Sequence, residues 1–138
     1  MRFMVLVKED QPSDTPPDPK MFEKMGKYNE ELVKAGVMLA GEGLLPSATG
    51  VRVKFEGDKR TVTDGPFAET KELLAGYWLL EAKDRAEVIE WVKRAPFDGG
   101  TEIEIRQVAE LEDFTDLMTP EQIAAEERLQ AELKAKRR

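Results

Sequence analysis

The stretch VTDGPFAETKELLAGYWLLEA, residues Val62 to Ala82, joins a tight turn, a charged segment and an apolar strand. Asp64-Gly65-Pro66-Phe67 has turn chemistry, because glycine tolerates positive φ and proline presets its own φ. Glu69 to Glu72 is polar enough for open solvent, whereas Leu73 to Leu80 is typical of a strand buried on both faces. Two interpretations of the turn stay open, a plain loop or a catalytic corner held against the core.

Apolar periodicity on either side of this stretch predicts five further strands and three helices. The strands are 2–8, 37–44, 51–55, 60–64 and 101–108, and the helices run from about Lys20 to Gly36, from Asp84 to Ala95, and onward from Thr119. Capping-box spacing marks two of the helix starts, at Asp84 and at Thr119. Val51, Val53 and Phe55 alternate with basic residues, so we expect their strand to bury one face and to expose the other.

The order of these elements predicts an α+β fold. With the hairpin over 51–64 taken as an insertion, residues 1–108 form a βαββαβ pattern, which is the ferredoxin-like arrangement. Two helices cover only one face of such a sheet, so the other face needs a cover as well. The sheet of a second copy is the simplest cover, and this predicts a homodimer. Residues 109–138 form a separate acidic linker and C-terminal helix, expected at the surface or against a partner subunit.

The composition excludes several classes of function. The chain has 138 residues, of which 41% are hydrophobic and 36% charged, and no apolar run approaches the roughly 20 residues of a membrane-spanning helix. A net charge of -7 disfavours nucleic-acid binding. Cysteine is absent, so we expect a cytoplasmic protein without thiolate chemistry. Histidine is absent too, which excludes histidine-dependent triads and leaves acid–base chemistry to Asp, Glu, Lys or Tyr.

Four segments together resemble the DGPF-domain family, a branch of the YCII-related proteins. They are AGEGLLPSATGVRV, VTDGPFAETKELLAGYWLLEA, EVIEWVKRAP and EIEIRQV, and the resemblance covers residues 1–108. It implies a ferredoxin-like domain that pairs into a homodimer of the dimeric α+β barrel type, with a cleft on the sheet face. Related YCII proteins are similar to small isomerases and dehalogenases with a proposed His–Asp centre, but this chain has no histidine. Relatives associated with bacterial extracytoplasmic-function sigma factors imply a regulatory link.

Asp64 is the candidate catalytic residue at the turn. Its carboxylate would act as a base or acceptor at the mouth of the cleft, with a pKa raised by nearby acids. The alternative is an Asx-type turn in which Asp64 caps the backbone amides that follow, and turn chemistry favours this role. Lys71 and Glu72 are candidate ligand-binding residues, or else members of a solvated corner with weak ion pairs.

Three strand residues complete the set of candidate ligand-binding side chains. Glu42 lies between two glycines, where backbone can approach a ligand closely, although the glycines also suit a bulge. Tyr77 and Trp78 point to opposite faces of one strand, so one joins the helix-side core and the other the cleft. Tyr77 is the candidate for ligand binding, and core or interface packing is the alternative for both. Arg106 could bind a substrate carboxylate, or it neutralises the neighbouring acids of its own strand.

These observations favour a dimeric protein that binds a small molecule, or a cofactor-free enzyme, with its cleft on the sheet face. The alternative is a regulatory or protein-interaction module, linked through the family resemblance to sigma-factor-dependent transcription. We expect no tightly bound cofactor and no metal, because the sequence has neither a phosphate-binding glycine loop nor an Asp-x-Asp metal loop. Whether the chain is an enzyme stays open.

Overall fold

A four-stranded antiparallel sheet organises the first of two compact units, Met1–Gln107 and Val108–Arg138. The computed structural model describes residues 1–8, 18–67 and 73–137. Its elements in chain order are β1 (Arg2–Lys8), α1 (Pro19–Lys34), β2 (Met38–Gly43), β3 (Val51–Glu56), β4 (Lys59–Asp64), β5 (Leu74–Glu81), α2 (Arg85–Lys93), β6 (Ile103–Gln107) and α3 (Pro120–Lys136). The sheet order β2-β5-β1-β6 fits the predicted ferredoxin-like fold. None of the described helices is both long enough and apolar enough to cross a membrane.

Strand alternation sorts the residues of the sheet between its two faces. Phe3 and Val5 of β1 pair with Leu80 and Trp78 of β5, and all four side chains are buried. The next residues along both strands point the other way. Tyr28 and Leu32 of α1 and Val88 of α2 join the same buried cluster. Both helices therefore cover the face that carries Trp78.

The opposite face has no helix of Met1–Gln107 packed on it in the described structure. Met4 lies opposite Leu79, and Leu6 lies opposite Tyr77, and all four side chains stay partly exposed. The prediction that β5 is buried on both faces is therefore wrong for the single chain, because both helices pack on one side. This open sheet face, Met4, Leu6, Tyr77 and Leu79, is the surface for which the sequence predicts a second copy.

Side-chain caps fix the helix boundaries near the predicted positions. The Asp84 carboxylate accepts a hydrogen bond from the Glu87 amide at 2.9 Å, which confirms the predicted start of α2. Thr119 and Gln122 form the predicted reciprocal capping box of α3. Gly36 follows α1 with φ +72°, a left-handed conformation that suits glycine after a helix.

β3 and β4 form a two-stranded sheet that is separate from the main sheet. The predicted hairpin is confirmed, with Gly57 at φ +57° in its turn. The prediction that β3 buries one face is wrong for the single chain, since every residue of both strands is exposed. The alternating pattern is present, but no described element of the chain covers the apolar side.

Candidate functional site

A cavity of about 230 Å³ lies on the helix-covered side of the main sheet. It is larger than the roughly 150 Å³ at which an apolar cavity accommodates benzene. Helix α1, strands β1, β2 and β5, and the segment after α2 surround it. The described residues that line it are Val7, Met25, Asn29, Gly41, Glu42, Gly43, Ala75, Gly76, Tyr77, Trp78 and Phe97. The cavity therefore sits inside one chain, on the face away from the predicted cleft between paired sheets, and that cleft stays a prediction.

Aromatic rings form one wall of the cavity. Trp78 packs edge-on against Tyr28, with 5.6 Å between ring centroids, and against Phe97, with 6.1 Å between centroids. Such perpendicular contacts are favourable between aromatic quadrupoles. The Tyr28 hydroxyl donates a 2.6 Å hydrogen bond to the Trp91 carbonyl of α2, and burial raises the pKa of Tyr28 to about 12. The aromatic wall is thus anchored to both helices.

Glycine backbone forms the adjoining part of the cavity wall, where β2 meets β5. A Cβ atom at Gly41 would lie 2.6 Å from Cε of Met38 and 2.7 Å from Cδ1 of Trp78, so glycine lets the indole approach β2 closely here. A Cβ at Gly76 would lie 2.9 Å from the Glu42 carbonyl oxygen. Gly43 differs, because a Cβ there would meet no atom within 4 Å. The wall therefore has open space beside it at Gly43.

Asn29 supplies the polar side chain of the cavity. Its Oδ1 atom accepts a 2.9 Å hydrogen bond from the Trp78 indole N–H, which can only donate. Because this contact uses the oxygen of the amide, the NH₂ group does not bond to the indole. The NH₂ group also makes no hydrogen bond to another described residue. The cavity therefore combines an apolar aromatic interior with one oriented hydrogen-bond donor, which is the usual composition of a small-molecule site.

The structure brings two of the predicted ligand-binding residues together. Glu42 lies directly opposite Tyr77 in the pairing of β2 with β5, and both border the cavity. Strand alternation places their side chains on the open sheet face, because Trp78 next to Tyr77 points toward the helices. Their main chains therefore contribute to the cavity wall, and their side chains form a pair on the other side of the sheet.

Arg106 lies at the far edge of the same open sheet face. It is opposite Met4 in the pairing of β6 with β1, and its guanidinium is 3.3 Å from the Glu104 carboxylate. Lys8 contacts the same carboxylate at 3.6 Å, and its 2.7 Å hydrogen bond to Glu102 is the first cause that raises the pKa of the Lys8 ammonium. This arrangement matches the interpretation in which Arg106 neutralises the acids of its own strand.

Asp64 ends β4 in the separate hairpin, so the structure does not bring it into the cavity. Its side chain is exposed and accepts no hydrogen bond from the described residues, which include Phe67 but not Ala68. The turn that follows Asp64 packs against an earlier turn, because the Gly65 amide donates to the Gly50 carbonyl at 2.9 Å. Phe67 packs against β3, since the centre of its ring lies 3.9 Å from the Arg52 guanidinium carbon.

Lys71 and Glu72, the two remaining predicted ligand-binding residues, lie outside the described residues, as does Glu69. Sequence reasoning missed Asn29, the polar group that the cavity presents. The sequence does contain a signal for Asn29. This residue follows Met25 by four residues and precedes Leu32 by three, which places it on the apolar side of α1. A polar residue within such a stripe indicates a buried hydrogen bond or a site.

Two comparisons relate this chain to known proteins. A family model described as the YCII-related domain matches residues 1–112. An uncharacterised protein of Rhizobium meliloti (strain 1021) is similar to this chain, with 26% identity over 76 residues. That alignment covers 55% of this chain and 61% of the relative, so the chain spans about three fifths of the curated relative that it matches.

Proposed function

The chain belongs to the YCII-related family, and we propose that it is a small-molecule-binding protein whose ligand occupies the cavity beside Trp78. The observation that carries the proposal is the Asn29 amide, which Trp78 holds with its NH₂ group unpaired among the described residues. A ligand with a hydrogen-bond acceptor could pair with this donor inside the cavity. The Asp64–Phe67 string supports placing the chain in the DGPF branch of the family.

The chemistry of the cavity walls defines the expected ligand. Trp78, Phe97 and Met25 offer aromatic and thioether surface, which favours an aromatic or branched aliphatic body. Asn29 offers a neutral donor, which favours a carbonyl or another uncharged acceptor over a full anion. The acidic chain, with its net charge of -7, also disfavours an anionic ligand. We therefore expect a small neutral molecule with one acceptor group.

Native mass spectrometry on the protein purified without denaturation tests the proposal. We expect a retained small molecule, released by Asn29→Asp, because this substitution keeps the acceptor for Trp78 but replaces the NH₂ donor by an anion. Gly43→Leu should also abolish retention, since the new side chain enters the open space beside β2. Gly26→Leu is the matched control, because a Cβ at Gly26 on α1 also meets no atom within 4 Å, but Gly26 does not line the cavity.

Retention that survives both Asn29→Asp and Gly43→Leu would contradict this site. Protein that is ligand-free, and that binds no neutral carbonyl compound in a ligand-observed NMR screen, would favour the interaction-module alternative instead.

A homodimer is the second part of the proposal, and the open sheet face supports it. Met4, Leu6, Tyr77 and Leu79 form a continuous apolar centre on the two middle strands. Glu42 lies at one edge of this face and Arg106 at the other. An apolar centre with charged edges is typical of a subunit interface, and the family resemblance implies pairing through this face.

A further inference from the structure

The hairpin of β3 and β4 has one apolar face that no described element of the chain covers. The cross-strand pairs on this face are Val51 with Asp64, Val53 with Val62, and Phe55 with Arg60. Its four apolar side chains are between 50% and 70% exposed. We call these six residues the hairpin face. The other side of the hairpin carries only charged and hydroxyl side chains: Arg52, Lys54, Glu56, Lys59, Thr61 and Thr63.

An isolated two-stranded hairpin is marginally stable in water, and it gains stability by packing its apolar side. One end of this hairpin is held by the contact between Gly65 and Gly50. The middle and the far end, with Phe55 at 70% exposure, have no such support among the described elements. The alternating sequence is thus typical of a strand pair with one buried face, but no described element of the chain buries it.

We propose that the hairpin face packs against the hairpin face of a second copy of this chain. The distribution of charge supports this occupant. Asp64 lies at one end of the face and Arg60 at the other, with the valines between them. Neither Asp64 nor Arg60 forms an ion pair with a described residue of its own chain. A face with an acid at one end and a base at the other is complementary to a reversed copy of itself.

The positions of the charges also select the direction of the contact. If a two-fold axis crosses the strands at the middle pair, Asp64 of each copy faces Arg60 of the other. Val53 and Val62 then face their own counterparts, and Val51 faces Phe55. If the axis instead follows the strands, Asp64 faces Val51 and Arg60 faces Phe55, which leaves both charges unpaired against apolar groups. The antiparallel arrangement is therefore favoured.

Arg60 is already oriented for this role. Its guanidinium lies 4.4 Å from the centre of the Phe55 ring, and its Nη1 atom donates to the Gly57 carbonyl at 2.8 Å. These contacts hold the cation at the far end of the hairpin face. Six residues per copy form less than the roughly 800 Å² per partner of a standard interface. We therefore expect a contact that adds to another interface or forms at high protein concentration.

Cysteine crosslinking tests the contact directly, because the wild-type chain has no cysteine. Val53→Cys places a single thiol on the two-fold axis, and we expect a short bismaleimide to join two copies, seen as a doubled mass on a denaturing gel. Lys54→Cys is the matched control on the polar side of the same strand, and its crosslinked fraction should be about ten-fold lower. Circular dichroism verifies that both variants are folded.

Charge reversal supplies the second readout, in the Val53→Cys background. Arg60→Asp should lower the crosslinked fraction by about ten-fold, because acids then face each other across the contact. Adding Asp64→Arg should restore the crosslinked fraction, since the reversed pairs attract again.

Equal crosslinking of Val53→Cys and Lys54→Cys, or a double reversal that restores nothing, would overturn the proposal. Preferential crosslinking of Val53→Cys chains to Leu6→Cys chains would overturn it too, by showing that the hairpin packs on the open sheet face. None of these outcomes depends on ligand in the cavity.

Discussion

At the scale of single residues, glycines decide how closely the segments of this chain approach one another. Gly65 is the tightest case, because a Cβ atom there would lie 1.8 Å from the Ser47 carbonyl oxygen. The turn from Asp64 to Phe67, which the sequence predicts as a turn, therefore also has a packing role. Its glycine is required by the neighbouring turn at Ser47–Thr49, which only the structure places there.

We expect Gly65→Ala to lower the free energy of unfolding by about 1–3 kcal/mol, because the turn must move away from backbone atoms that cannot rotate aside. Urea unfolding followed by circular dichroism measures this loss. Gly26→Ala is the control, and it should raise the free energy of unfolding by about 0.5–1 kcal/mol, since Gly26 is an exposed helical residue with free space around it. A Gly65→Ala variant as stable as the wild type would contradict the packing role.

The candidate site was only partly predictable from residue types. Glu42 and Tyr77 attract attention as polar groups beside glycines and on an apolar strand, and the structure places them as neighbours. Asn29 escapes such reasoning, because its importance depends on a contact with Trp78, 49 residues away. Asp64 is conspicuous in the sequence because of its turn, yet the structure places it on a hairpin outside the cavity.

At the scale of elements, the two helices are joined by one hydrogen bond, from the Tyr28 hydroxyl of α1 to the Trp91 carbonyl of α2. Burial raises the pKa of Tyr28 from 10.0 to about 12. The unfolded chain therefore loses this proton near pH 10, while the folded chain keeps it until about pH 12. Stability from this group is complete below pH 10 and is lost as the pH rises through the folded pKa.

Tyr28→Phe should accordingly flatten the fall of unfolding free energy between pH 10 and 12. Near neutral pH the same variant should lose about 0.5–1.5 kcal/mol, because the Trp91 carbonyl loses its partner. Urea titrations at a series of pH values compare the two proteins. If their alkaline slopes coincide, Tyr28 does not hold its proton as described.

The sequence predicts the elements of this fold well because caps and periodicity are local. Asp84 and Thr119 mark their helices through contacts three residues away, and β1 alternates over its whole length. Burial is harder to predict, since it depends on what covers a face. The alternation of β3 indicates a buried side, but the single chain exposes both sides.

At the scale of the whole molecule, the open sheet face and the hairpin face share one property: each has an apolar pattern without a cover among the described residues of Met1–Gln107. The order of the elements predicts the open sheet face, because two helices cannot cover both faces of a four-stranded sheet. The order of the elements does not predict the exposure of the hairpin face, since the position of an inserted hairpin depends on contacts such as that of Gly65 with Gly50.

We expect Leu79→Lys to shift the predicted dimer toward monomer, because it places a cation at the centre of the open sheet face. Analytical ultracentrifugation at several concentrations measures this shift, and circular dichroism verifies the fold. Val33→Lys is the control, since Val33 is 61% exposed on α1, on the other side of the sheet. A Leu79→Lys protein that dimerises as tightly as the wild type would exclude this face from the interface.

The indole of Trp78 has a practical consequence. The chain contains two tryptophans, and Trp91 sits on α2 beneath the Arg94 guanidinium, 4.7 Å from the ring centre. Trp91→Phe would leave Trp78 as the single tryptophan, with its N–H on Asn29 and its ring at the cavity. A molecule that enters the cavity would then change the wavelength or the intensity of the Trp78 fluorescence. The protein thereby carries its own unlabelled reporter, suited to screening compound libraries in multiwell plates.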